Sequence, residues 1–216
     1  MTKVKLYEYW RSSAAYRVRI ALNLKGIDYQ SIPIHLVKNG GEQHSVEFAE
    51  LNSSELVPVF DDGKIQLNQS LSIIDYLDEN YTGDPLTPRS GSDRYLVKSL
   101  AQDIAVDIHP LNNLRVLQYL SNQIQVSDEE KATWYRHWVE KGFCALEKKL
   151  VASSGIYCVG DSLSLVDVCL IPQVYNALRF NIDMTPFPTV SCISETLQQH
   201  PAFVQAEPAN QTDAEL

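Results

Sequence analysis

Ser12 and Ser13 stand where an alternating apolar pattern gives way to a helical one. The start of a helix presents unpaired N–H groups and about half a positive charge, so it stabilises an anion placed there. A hydroxyl at that point can also donate a hydrogen bond to a thiolate. Taken alone, either serine serves equally well as an ordinary N-cap. Gln69-Ser70 repeats the arrangement at a second helix start, where backbone N–H groups and a hydroxyl suit a carboxylate, with the same plain-cap alternative. Val57-Pro58 precedes a hairpin signal, and an X-Pro bond is cis in only about 5% of cases. Residues 1–40 carry seven Lys/Arg, Arg17 among them, against Glu8 and Asp28. A small anion could be held there, although a scattered solvated surface fits the same counts.

The elements that must place these residues follow from the periodicity. Residues 4–9 alternate like a half-buried strand, and 14–25 read as a helix that Gly26 ends. A strand over 28–34, a short helix over 45–50 and two strand runs flanking Asp61-Asp62-Gly63 come next, the last a hairpin signal. Ser70 is expected to cap a helix that aligns Leu71, Ile74 and Leu77. The order βαβαββα implies a parallel pair with a right-handed crossover and an added antiparallel hairpin, a thioredoxin-like α/β domain over residues 1–82. Residues 83–91, rich in Pro, Gly and Ser, read as linker. From 92 to 216 the chain reads as all-helical, with helices over 93–122, 128–152, 164–178 and 189–199 and a flexible polar tail from about 205. Ser164-Leu165-Val166-Asp167 is a capping box, and Pro110 should kink the helix that contains it, because it leaves the Val106 carbonyl without its donor.

Composition narrows the function. A net charge of −9 argues against nucleic acid and anionic membranes as partners. The N-terminus has no apolar leader pattern and no apolar run approaches a membrane span, so a cytoplasmic location is expected. Cys144, Cys158, Cys169 and Cys192 lie far apart without metal-ligand spacing, so no metal site is expected and the cysteines read as buried thiols.

The stretch Ser12-Ser13-Ala14-Ala15-Tyr16-Arg17-Val18-Arg19-Ile20-Ala21-Leu22 resembles the zeta-class signature of the glutathione transferases, S-S-C-x-W-R-V-R-I-A-L. Val57-Pro58, Gln69-Ser70, Gly155–Asp161 leading into the capping box, and Asn176-Ala177-Leu178-Arg179-Phe180 extend the likeness over nearly the whole chain. The resemblance implies a two-domain glutathione-transferase fold, glutathione as cofactor and a homodimer. It also implies a glutathione-dependent cis–trans isomerase acting on maleylacetoacetate, in tyrosine and phenylalanine breakdown, or on a similar cis-enoic keto acid such as maleylpyruvate. By the same resemblance Ser12 donates to the glutathione sulfur and Val57 pairs its backbone with the cysteinyl part, next to a cis Pro58. Gln69 and Ser70 hold the γ-glutamyl carboxylate, Gln43 reaches the glycyl end, and Arg17 belongs to the same glutathione-binding set. His109, Asn113 and Arg115 match the substrate side, where Arg179, with Ser13 or His109, holds a substrate oxygen. Two positions depart from the family: Ala14 replaces its cysteine, which removes any role for a protein thiol there, and His109 replaces its usual glutamine. A transferase that keeps the sulfur in its product would use the same glutathione site. A non-catalytic relative would have been expected to lose that site, whereas Ser12, Pro58, Gln69 and Ser70 are all present.

Overall fold

A computed structural model describes residues 3–215. They form two compact units, one running to Leu86 and joined by the segment from His200 onward, the other spanning Thr87–Gln199. The first unit is built on a four-stranded sheet in the order β2-β1-β3-β4, where β1 is Val4–Glu8, β2 Tyr29–Pro33, β3 Val59–Asp61 and β4 Gln66–Asn68. β1 pairs parallel with β2 and antiparallel with β3, and β3 pairs antiparallel with β4. Helices α1 (Ser13–Leu24), α2 (Val46–Leu51) and α3 (Ser70–Asn80) complete the expected βαβαββα order. Leu6, Val18, Ile20, Phe60, Ile73, Ile74 and Leu77 are fully buried and form its core.

An ion pair lies inside that apolar packing. Arg19 on α1 is buried completely and Glu8 at the end of β1 nearly so. Arg19 Nη1 lies 2.6 Å from Glu8 Oε2, its Nη2 donates to the Trp10 carbonyl at 2.9 Å, and its Nε donates to the Ala206 carbonyl at 2.9 Å. Burial pushes the Glu8 carboxyl up, and the Arg19 charge and hydrogen bond work against that rise.

The third contact corrects the expectation at the C-terminus. Pro201–Ala206 is a helix, here α9, that packs on α1, and Pro208–Asn210 forms a 3₁₀ turn. Residues 205–215 of the expected polar tail are instead part of the first unit, because the buried guanidinium needs the Ala206 carbonyl as an acceptor. Local polarity in the sequence does not reveal a backbone oxygen used 187 residues away.

The second unit is helical: α4 (Ser92–Gln102), α5 (Leu114–Tyr119), α6 (Asp128–Ser153), α7 (Leu165–Arg179) and α8 (Pro188–Leu197). The single helix expected over 93–122 is broken. A π-helical turn at Asp103–Ile108 and a 3₁₀ turn at His109–Asn112 surround Pro110, and Asn113 is extended and caps α5. Proline removes the N–H that would reach Val106 and its ring crowds that carbonyl, so the backbone widens before it and tightens after it. The capping box at Ser164 is formed, with Asp167 Oδ2 accepting from Ser164 N and Oγ at 2.8 Å each, and Oδ1 accepting from Cys158 N at 2.9 Å. Cys158 and Cys169 are buried as expected, but Cys144 and Cys192 are exposed, because they fall on the outer faces of α6 and α8.

Asp62 ties the hairpin to α3. Its Oδ1 accepts from Lys64 N and Ile65 N at 2.9 and 3.0 Å, and its Oδ2 from the Tyr76 and Tyr81 hydroxyls at 2.9 Å each. Burial alone would raise this carboxyl, but the four donors outweigh burial and hold it below the usual carboxylate range. A lowered folded-state value means stability that is present above the unfolded value and is lost as pH falls through the folded one. Urea unfolding of Asp62→Asn should therefore show weaker acid dependence than the wild type below about pH 4. Replacing Arg19 by Met strands the Glu8 carboxylate, and equilibrium unfolding should report a loss of about 3–5 kcal/mol.

Candidate active site

Ser12 has extended backbone angles, which let its side chain turn back on the helix, and its Oγ accepts from Ala15 N at 3.3 Å. Because that oxygen accepts, the hydroxyl proton remains to be donated elsewhere. Ser13, the first residue of α1, is buried. No acid lies in the first turn of α1, so nothing offsets its positive end.

The second helix start differs from expectation. Gln69, not Ser70, is the N-cap of α3, and its side chain makes no capping hydrogen bond. Its φ of 69° puts a non-glycine residue in the left-handed region, which costs about 1–3 kcal/mol and recurs where a ligand is gripped. Ser70 opens the helix and is buried. Arg17, buried on α1, donates from Nη1 to Ser70 Oγ at 3.2 Å and so brings a guanidinium to the start of α3, which also lacks an acid in its first turn. By contrast α2, α4, α6 and α7 each carry an acid there. The helices bearing Ser12-Ser13 and Ser70 are thus among those with open positive ends, as are α5, α8 and α9. Among the described residues, only α3 has a buried guanidinium brought to its first residue.

Gln43 lies in the loop between β2 and α2 and is buried. Its Nε2 is 3.0 Å from His44 Nε2, while its buried Oε1 has no partner among the described residues. Gly41, at φ 101°, leaves the space that the Gln43 amide occupies, since a Cβ there would come within 2.5 Å of Nε2. The Val57–Pro58 bond is cis, as the resemblance implied, and sets Val57 just ahead of β3. Thus Ser12, Ser13, Arg17, Gln43, Val57, Gln69 and Ser70 all belong to the first unit, where Arg17 joins the Ser70 end of α3 to α1. A guanidinium and two open helix starts fit the thiol and carboxylates of a tripeptide, and the unmatched buried amide oxygen fits one of its N–H donors. The strained Gln69 stands at one of those helix starts.

His109, Asn113, Arg115 and Arg179 belong to the second unit. Asn113 Oδ1 caps α5 by accepting from Arg115 N at 3.2 Å, which turns the Nδ2 of the same amide toward His109 Nε2, 3.4 Å away. That geometry makes His109 Nε2 an acceptor and assigns the proton of the neutral ring to Nδ1. Arg115 contributes only its backbone to this arrangement and is exposed. Arg179, at the end of α7, places its guanidinium 4.5 Å over the Phe180 ring, which stacks on buried Tyr135 at 3.7 Å. Burial raises the Tyr135 hydroxyl pKa and the Arg179 charge opposes the rise.

Sequence reasoning missed the buried position of Arg19 and the loop contacts of His35, Asp213 and Glu215. The one legible signal was a pair of arginines, Arg17 and Arg19, inside the otherwise apolar run from Ala14 to Leu22.

The glutathione S-transferase N-terminal domain family matches residues 6–85. A probable maleylacetoacetate isomerase of Vibrio cholerae serotype O1 is 60% identical, over 99% of this chain and 100% of that protein. Among solved structures, a bacterial maleylpyruvate isomerase of the zeta class superposes with a TM-score of 0.94 at 39% identity, covering 98% of this chain and 100% of that one. The maleylacetoacetate isomerase of Methylobacterium extorquens AM1, solved with malonate and glutathione bound, gives 0.94 at 40% identity with the same coverage. Replacing Gln69 by Gly should relieve the backbone, raising unfolding stability by about 1 kcal/mol, while calorimetry should show weaker glutathione binding.

Proposed function

We propose that this chain, which belongs to the zeta class of the glutathione S-transferase family, converts maleylacetoacetate to fumarylacetoacetate with glutathione as cofactor. It works in tyrosine and phenylalanine catabolism, in the cytoplasm and as a homodimer. The observation that carries this reading is the pair of acid-free helix starts, α1 with Ser12 and α3 with Ser70, with Arg17 hydrogen-bonded to Ser70.

When bound, glutathione would supply the thiolate nucleophile for reversible addition to a cis double bond conjugated with a ketone, the chemistry that frees such a bond to rotate. Everything else falls to the chain's own residues. A free thiol ionises near pH 8.5, and lowering that by two units requires about 2.7 kcal/mol of preference for the thiolate. The Ser12 hydroxyl proton and the open N-terminus of α1 are the groups that provide it. Arg17, Ser70 and the N–H groups of α3 hold the γ-glutamyl carboxylate, the backbone of Val57 pairs with the cysteinyl unit, and Gln43 takes the glycyl end. On the substrate side, Arg179 and His109 bind the carboxylate and the carbonyl oxygen on which negative charge develops, and Ser13 is a further donor at the start of α1. Asn113 sets the His109 tautomer that donates from Nδ1. Ala14 stands where the family has cysteine, so the chain itself contributes no thiol at that place.

Isomerisation of maleylacetoacetate and of maleylpyruvate, followed spectroscopically with and without glutathione, tests the assignment. Turnover should require glutathione, and Ser12→Ala should lower kcat by about 100-fold, the scale for losing one donor to a developing anion. Faster turnover of maleylpyruvate would reassign the substrate. Conjugation of an aryl halide with neither acid turned over would show a transferase instead.

A further inference from the structure

The C-terminal segment does more than cover a helix. Its base is rigid: the Ala206 carbonyl is held by Arg19, and Gln211 Nε2 donates to the carbonyls of Gln205 and Glu207 at 2.9 and 2.8 Å. From that base the chain reaches two loops of the same unit.

The first loop feeds Ser12. Asp213 Oδ2 accepts from Trp10 N at 3.1 Å, and the loop then closes with Ser12 N donating to the Tyr9 carbonyl at 2.9 Å. The second loop carries Gln43, and His35 organises it. His35 Nδ1 accepts from Val37 N at 3.2 Å and Lys38 N at 2.8 Å, so Nδ1 bears no proton and the neutral ring carries its proton on Nε2. Nε2 faces Glu215 Oε1 at 3.5 Å, and the same carboxylate pairs with the Lys38 ammonium. The Lys38 hydrogen bond holds the Glu215 carboxyl below its ordinary range. His35 is further locked to the residue before Gln43, since His35 N donates to Glu42 Oε2 at 2.6 Å and Glu42 N donates to the His35 carbonyl at 2.8 Å. The Tyr9 ring meets the His35 ring edge-on at 5.0 Å and joins the two loops directly.

We propose that Asp213 and Glu215 are positioning residues for the glutathione site, the C-terminal strap setting the spacing between the loop that feeds Ser12 and the loop that carries Gln43. The proposal rests on the reading of Ser12 and Gln43 as contacts to the thiol and glycyl ends of glutathione. A tripeptide that spans both loops binds best when their spacing is already set, because ordering them at the moment of binding subtracts from affinity. The strap touches Trp10, His35 and Lys38, none of which is assigned to the chemical step, so it should act on glutathione affinity rather than on turnover.

The experiment compares steady-state kinetics and calorimetric glutathione binding for the wild type, Asp213→Asn, Glu215→Gln, Lys38→Glu, the exchange Lys38→Glu/Glu215→Lys, and Gln43→Ala. Each single strap variant should raise KM and Kd for glutathione about two- to five-fold with kcat within twofold, the scale of a surface charge pair. The charge exchange should recover most of the loss at the Glu215 contact, a rescue that loss of folding stability alone would not give. Wild-type affinity should move toward that of Glu215→Gln in 1 M salt, where screening length falls to about 3 Å. If the strap variants bind glutathione like the wild type while Gln43→Ala binds weakly, or if they lower kcat at unchanged KM, the positioning role is wrong. If Gln43→Ala itself binds glutathione normally, the reading of Gln43 fails, and the proposal fails with it whatever the strap variants do.

Discussion

Arg19 is the constraint around which the first unit is arranged. Removing a guanidinium from water costs several kcal/mol unless its donors are matched, and here Nη1, Nη2 and Nε each find an oxygen. The three acceptors come from β1, from the loop after it and from α9, segments far apart in sequence. Meeting the needs of one side chain therefore fixes where the strand ends, where the Ser12 loop starts and where the C-terminal helix docks. The site inherits this rigidity, since Trp10 lies between the Arg19 contact and Ser12.

On that frame the chemistry is electrostatic. The protein as a whole carries a net charge of −9, yet the segment holding Ser12, Arg17 and Arg19 is basic, and the two helices that begin beside it have no acid in their first turns. Under the proposed reading, an anionic tripeptide is favoured locally against an unfavourable global charge, with backbone dipoles and a buried guanidinium as the source of the preference. Gln69, held at positive φ, shows a place where stability has been given up for geometry.

The second unit uses a carboxylate as its internal anchor. Asp167 is fully buried on α7, and its two oxygens hold the start of that helix and the Cys158 backbone together. Burial raises its carboxyl, and the donors from Cys158 and Ser164 pull it back. At the other end of the same helix stands Arg179, so the capping box fixes the start of the helix whose last residue is Arg179. Close packing supports this unit too: α6 approaches the π turn so tightly that a Cβ on Gly142 would meet Ile108 Cγ1 at 2.3 Å.

By itself the sequence determined the order βαβαββα, the helical second half and the capping box at Ser164, because each of these is written in local periodicity, caps and short motifs. It also located the break at Pro110, since the loss of a backbone N–H is a property of one residue. The tertiary structure alone decided that Gln69 rather than Ser70 caps α3, that Arg17 reaches Ser70, and that Asn113 ends the helix expected to run through it. It alone placed the segment after His200 on α1, with Asp213 on Trp10 and Glu215 on His35 and Lys38. Those outcomes depend on which distant donors and acceptors meet once the chain is closed. No local pattern records a requirement that Arg19 satisfies only with a carbonyl at the far end of the chain.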